Sequence, residues 1–299
     1  MPLVPPNDFV PPPEPRAFLS QPHASEAQIM RTRITVSPGV ELDVIQSGDP
    51  TGVPLVLLHG LSDSNASMRV LMDRLPRGVR AIAVSQRGHG ESSKPAGPYT
   101  TDALVADLAS ALDKLGVGKA VIYGHSMGSV VAQRFATQHP QRVAGLVLEG
   151  AFPGLKGNPA VAGFYDAEIA SLTDPIDPAF AREFQLSTIA RPLPPEFVDL
   201  VARESQKLPA RAWKQILQDM MQVDTTADLA RLKVPALLLW GDRDTFVLRS
   251  DQSRLNAALK GSTLVVFEGT GHDPHWEEPG RTARLVAAFV ERCLAPVAA

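Results

Sequence analysis

Apolar residues recur along this chain in two rhythms, and the rhythms alternate. Short apolar runs stand at 54–58, 80–84, 120–123, 143–148, 236–240 and 262–267, each bounded by glycine, proline or polar residues. Runs of this length, rich in branched side chains, predict strands buried on both faces. Between them the spacing lengthens: Leu104, Leu108, Ala111, Leu112 and Leu115 mark one face of a helix over 101–115. Ahead of the buried runs, 31–36 and 41–46 alternate and are joined through Ser37-Pro38-Gly39, which predicts an antiparallel hairpin. Strands alternating with helices imply a mostly parallel sheet with helices on both faces, an α/β fold.

The alternation stops at residue 151. From there to 233 the pattern is helical, broken by proline and without a strand candidate. Asp177-Pro178 and Pro194-Pro195-Glu196 read as helix starts, with proline near the first turn. A further helix over 209–221 carries Trp213, Ile216, Leu217, Met220 and Met221. This block is expected to be a helical cap (151–233) inserted into an α/β core made of 29–150 and 234–299. A last helix is expected over 279–293. Residues 1–28 hold eight prolines and form neither a helix nor an interior strand. They read either as a free tail or as an extended arm docked through Phe9, Val10, Phe18 and Leu19 on the domain or a partner subunit.

Composition narrows the functional classes. With 299 residues, 44% hydrophobic and 20% charged, the chain suits one large domain with an insertion. A formal net charge of -3 and the lack of like-charge runs argue against nucleic acid or an anionic membrane as partner. No apolar run reaches the length of a membrane span, no signal peptide is visible, and a cytoplasmic location is expected. The single cysteine, Cys293, reads as a half-buried residue of the last helix. No metal-binding spacing and no cofactor fingerprint are present, and Arg87-Gly88-His89-Gly90 lacks the spacing of a phosphate loop. The expected partner is a small-molecule ester substrate; oligomeric state is not readable.

The chemistry gathers at Gly124-His125-Ser126-Met127-Gly128, set between the strand at 120–123 and an apolar helix. A Gly-x-Ser-x-Gly in that setting is a nucleophile elbow, a turn so tight that residues two places either side of the serine must be glycine. It holds Ser126 at the end of the sheet above a helix N-terminus, where N–H groups favour developing negative charge. Functional loops of an open α/β sheet lie at the carboxyl ends of its strands. His272 follows the last strand after Gly271 and is expected to take the proton of Ser126. The acid comes from one of the neighbouring loops. Asp242 and Asp244 share the loop after 236–240, and Glu149 ends the strand before. Asp244 is expected to face the histidine once the chain has turned, with Asp242 as a turn residue. The oxyanion hole is expected from the backbone N–H groups of Met127 and Leu61. The pocket is expected to be lined by His59, Phe152, Trp213, Met220, Phe246 and Val247. His59 also suits a buttress for its loop, and His275 a supporting residue.

Taken in order, His59-Gly60, Arg87-Gly88-His89-Gly90, Gly124-His125-Ser126-Met127-Gly128, Gly241-Asp242-Arg243-Asp244 and Gly271-His272 resemble the landmarks of the α/β-hydrolase superfamily over about 31–295. The resemblance implies an eight-stranded sheet, a Ser126-His272-Asp244 triad and a serine-nucleophile esterase-like member. Ser85 stands where many members carry an aspartate, which puts any ion pair to Arg87 by that route in question. Carbon–carbon bond hydrolases, lactonases and cofactor-free perhydrolases share the same motifs. The first of these needs a basic residue for a substrate carboxylate, for which Arg182, Arg191 and Arg211 are candidates. A non-catalytic ligand-binding member is the remaining alternative.

Overall fold

The computed structural model describes residues 29–294. The suggested arm at 1–28 lies outside the described residues. Eight strands form one sheet: β1 (Met30–Ser37), β2 (Val40–Ser47), β3 (Val53–Leu58), β4 (Val79–Val84), β5 (Ala120–His125), β6 (Val143–Glu149), β7 (Ala236–Gly241) and β8 (Thr263–Phe267). They lie side by side in the order β1-β2-β4-β3-β5-β6-β7-β8. The hairpin β1–β2 and the β2–β4 pair are antiparallel, and every pair from β4 to β8 is parallel. The chain departs from β3 in both directions across the sheet, so β5 and its following turn sit near the middle.

The period-two pleat sorts the apolar runs onto two faces. Leu55, Leu57, Val121, Tyr123, Val147, Leu237 and Leu239 pack on one face with Met68, Leu71 and Met72 of α1 (Asn65–Met72). Val286, Phe289 and Val290 of the helix Pro279–Leu294 complete that layer. On the other face Val56, Leu58, Ile122, Leu146, Leu148 and Leu238 meet α2 (Thr101–Lys114) and α3 (Met127–Gln138). Cys293 is half-buried, and burial raises its thiol pKa to about 11.

Between β6 and β7 the described chain is helical. It runs through α4 (Pro159–Phe164), continued by a wider turn to Ile169, then α5 (Pro178–Thr188), α6 (Pro195–Gln206), α7 (Ala210–Met220) and the short α8 (Thr226–Leu229). Proline at the first turn starts α4, α5 and α6, and Asn158 and Asp177 cap the first two. Ile169, Ala181, Trp213, Ile216 and Met220 belong to the same apolar core as α2 and α3. The block is thus packed onto the sheet layer as one continuous interior. After β7 come α9 (Arg249–Ala258), α10 (Pro274–Glu277) and α11, the helix Pro279–Leu294 already described. No helix among the described residues is long and apolar enough to cross a membrane.

Ser85 does not leave Arg87 alone. The guanidinium makes two 2.6 Å bonds to the carboxylate of Asp107 on α2, and a third to the Pro98 carbonyl at 3.0 Å. The ion pair is buried and reaches across to a helix rather than back along its own loop.

Candidate active site

Ser126 sits between the end of β5 and the start of α3 with φ +49° and ψ −117°, a conformation that non-glycine residues avoid. Two close approaches explain the flanking glycines. A Cβ on Gly124 would lie 2.3 Å from the Gly128 carbonyl oxygen, and one on Gly128 would lie 2.4 Å from that of Leu58. The strain is held by the sheet: the Ser126 N–H donates to the Glu149 carbonyl at 3.0 Å, and its own carbonyl accepts from Ser129 N–H at 2.8 Å.

Ser126 and His272 line one cavity of about 470 Å³, roofed by the helical block. His272 follows β8 in a loop whose backbone is clamped from outside the sheet, its N–H donating to the Thr188 carbonyl at 2.7 Å. Its Nδ1 lies 2.7 Å from Asp244 Oδ2. The other oxygen of Asp244 accepts from the N–H groups of Phe246 and Val247 at 2.8 and 2.9 Å, so the carboxylate is aimed by its own loop. Asp242 turns away and accepts from Gly269 N–H at 2.6 Å, tying together the loops after β7 and β8. Glu149 is occupied elsewhere. It accepts from the Tyr123 hydroxyl at 2.6 Å and from the His275 backbone N–H at 3.0 Å, and binds His275 Nδ1. Of the three acids considered from the sequence, Asp244 is the one bonded to His272.

Burial opposes a charge on His272, but the charge and hydrogen bond of Asp244, helped by Asp273 and Glu149, outweigh it and raise the pKa to about 9. With Nδ1 engaged by Asp244, Nε2 is the ring nitrogen left to exchange a proton with a serine in the same cavity.

Leu61 and Gly60 also line the cavity, and Met127 opens α3 directly after the serine. No acceptor among the described residues is bonded to the backbone N–H of Leu61 or Met127. His59 explains the aim of the first. Its Nε2 accepts from Gln86 N–H at 3.0 Å, and burial lowers its pKa to about 4, so the neutral ring carries its proton on Nδ1. Nδ1 then donates to the Gly60 carbonyl at 2.7 Å. That carbonyl shares a peptide plane with the Leu61 N–H, which a trans peptide points the opposite way. Gly60 lets the loop come close, since a Cβ there would meet His125 Nδ1 at 2.8 Å.

The pocket residues expected from the sequence divide. Phe152, Met220, Phe246 and Val247 line the cavity. His59 and Trp213 do not, and this corrects the expectation for both. His59 is fully buried behind its loop. Trp213 is turned into the helical block, edge-on to Phe184 at 5.0 Å and Phe180 at 5.6 Å, and it is Phe184 that faces the cavity. Met221, next to Met220, does not line it either. Leu155, Phe164 and Leu217 add to the apolar wall, and Asp63, Gln185, Thr188 and Asp273 are among the polar residues that line the cavity. The pair Phe180 and Phe184, one helical turn apart, was the available sequence signal for this wall.

No lysine or arginine among the described residues lines the cavity. Arg182 pairs with Asp199, Arg191 with Glu278, and Arg211 bonds the carbonyls of Lys94 and Pro95. Behind His272, one ligand atom each of His125, Asp273 and His275 lie within 4.8 Å of one another, the one group among the described residues with the donor types for a cation. His125 Nε2 lies 3.1 Å from the His272 carbonyl oxygen and 3.2 Å from Asp273 Oδ1, and neither Asp273 carboxylate oxygen has a hydrogen-bond partner among the described residues.

Comparison with known proteins agrees with this architecture. The family model described as alpha/beta hydrolase fold matches residues 53–279. An AB hydrolase superfamily protein of Bacillus subtilis strain 168 is 26% identical over 251 residues, covering 80% of this chain and 91% of its own. The structure of an esterase from Rhodococcus sp. ECU1013 superposes with a TM-score of 0.72 at 27% identity, over 88% of this chain and 98% of that one. An esterase from Exiguobacterium antarcticum matches the fold with a TM-score of 0.79 at 23% identity, over 88% of this chain and all of the other. A match over this much of the chain is decisive: the protein belongs to the alpha/beta hydrolase fold family.

Proposed function

We propose that the protein is a serine carboxylesterase acting on uncharged esters with an apolar acyl or aryl group. One observation carries the reading. The strained Ser126 shares a cavity with His272, whose Nδ1 is 2.7 Å from the buried Asp244; Leu61 lines the same cavity, and Met127 follows the serine directly. In this mechanism Ser126 Oγ attacks the ester carbonyl as its proton passes to His272 Nε2. The carbonyl oxygen becomes an oxyanion and is met by the N–H groups of Leu61 and Met127. The carbon–oxygen bond to the alcohol then breaks, and His272 returns the proton to the departing alcohol. Water, deprotonated by the same nitrogen, attacks the acyl-enzyme; the acid leaves and Ser126 is restored. No step calls on a metal or cofactor.

The cavity falls within the size usual for small-molecule sites and offers apolar walls from Phe152, Phe164, Phe184, Leu217 and Met220. A carbon–carbon bond hydrolase needing a cation for a substrate carboxylate is disfavoured, because the three arginines considered for that task are bonded outside the cavity. The esterase structure from Rhodococcus supports the class of bond broken.

Initial rates on p-nitrophenyl esters of increasing acyl length test the reading. We expect turnover with a length optimum, and a loss on the order of 10³- to 10⁶-fold in Ser126→Ala with folding intact. Retention of more than about a tenth of the rate in that variant removes Ser126 from the nucleophile role. No turnover on any ester, in a protein whose Ser126 still takes a fluorophosphonate label, moves the assignment to a lactone or diketone substrate. Absence of the label as well would favour a binding protein.

A further inference from the structure

Ser62, the residue after the Leu61 oxyanion donor, is the second non-glycine residue among the described ones with a positive φ, at +65°. It is not at the elbow, and glycine would adopt this conformation without strain. What a serine adds is its hydroxyl. That hydroxyl is fully buried, accepts from Ser205 Oγ at 2.7 Å, and accepts from Gln185 Nε2 at 3.2 Å. Ser205 lies near the end of α6 and Gln185 near the end of α5, so both partners belong to the helical block. Three residues after Gln185, the Thr188 carbonyl takes the N–H of His272 at 2.7 Å.

We propose that the helical block, beyond roofing the pocket, sets the oxyanion hole: Ser205 and Gln185 hold Ser62 in its left-handed conformation and thereby aim the Leu61 N–H. The inference rests on the esterase reading above. Ser62, Gln185 and Ser205 are positioning residues here, acting through the Leu61 peptide. His59 holds the Gly60–Leu61 peptide by its carbonyl, and the block holds Ser62, one residue beyond that peptide. When its tether is cut, Ser62 leaves φ +65°, which turns the Leu61–Ser62 peptide and, through the Leu61 backbone, the Leu61 N–H.

The test compares an ester with the matching thionoester. Sulfur accepts hydrogen bonds poorly, so a misaimed N–H slows the ester and spares the thionoester. In Ser205→Ala, and in Ser62→Ala, which loses the hydroxyl but keeps the φ strain, kcat on the ester should fall about ten- to a hundredfold with KM within about twofold. The thionoester rate should hold, so the ratio of the two rates falls by the same factor, and Ser205→Thr, which keeps a hydroxyl, should restore the ratio. An unchanged ratio in both variants overturns the proposal. So does a parallel loss of both rates, which would mark the contact as serving only the fold; thermal melts of each variant read that alternative directly. If wild type shows no Ser126-dependent ester turnover, the esterase reading falls and this inference with it.

Discussion

Two buried carboxylate–histidine pairs have their histidines three residues apart after β8, His272 in the loop and His275 on α10, and they differ in what they face. Asp244 and His272 meet at 2.7 Å with the histidine on the wall of the cavity beside Ser126. Glu149 and His275 meet as closely, but His275 is sealed in the interior, and its Nε2 has no hydrogen-bond partner among the described residues. Burial opposes the charge on both imidazoles and the facing carboxylate raises both pKa values. The electrostatics are therefore alike. What separates the two pairs is place: His272 lines the cavity with Ser126, and His275 does not.

The sharpest way to break this comparison is Asp244→Asn. It should lower kcat/KM by about 10²- to 10⁴-fold, measured with the best ester of the series, because the amide no longer stabilises the imidazolium. It should also move the pH profile. His272 must be neutral to accept a proton, so activity rises as pH passes upward through its pKa, held at about 9 because Asp244, with Asp273 and Glu149, outweighs the lowering by burial. Removing the carboxylate lowers that pKa and shifts the limb to lower pH; a limb that stays in place would detach it from His272. Glu149→Gln comes second. It leaves a buried histidine without its counter-charge and should cost stability on the order of 3 kcal/mol by denaturant titration. Turnover per folded molecule should fall less than about tenfold. A loss as large as that of Asp244→Asn would place the second pair in the reaction. Asp242→Asn should be mildest, within about threefold in kcat/KM, because its 2.6 Å bond to Gly269 N–H needs only an acceptor oxygen. A severe loss there would reassign the acid.

Much of this arrangement is legible in the sequence. The glycines around Ser126 are demanded by approaches of 2.3 and 2.4 Å, and such demands leave a sequence signature. Asp244 and His272 stand directly after strands, where the parallel topology fixes which end of the sheet a loop occupies. The walls of the cavity were less legible, for a geometric reason. On α7 the apolar stripe holds Trp213, Ile216, Leu217 and Met220. Hydrophobic spacing tells which face is buried, and does not tell core from cavity, since both are apolar. Leu217 and Met220 fell on one side of that division and Trp213 on the other. The contact between Ser62 and Ser205 joins residues 143 positions apart through two hydroxyls, and no periodicity announces it. The partner of Arg87 was hidden in the same way, because Asp107 sits on a helix face that sequence alone gives no reason to turn toward that loop.

The carboxylate of Asp244 orients His272 with one oxygen and holds the backbone of Phe246 and Val247 with the other. The two residues it holds by their N–H groups are also part of the pocket wall, and their side chains take no part in that grip. Substrate preference can therefore drift by exchange of side chains at 246 and 247 while Asp244 stays bonded to His272. A change in the length of this loop has no such freedom. It would shift wall and acid together, so selection for a new substrate should tolerate substitutions at these positions and purge insertions between them.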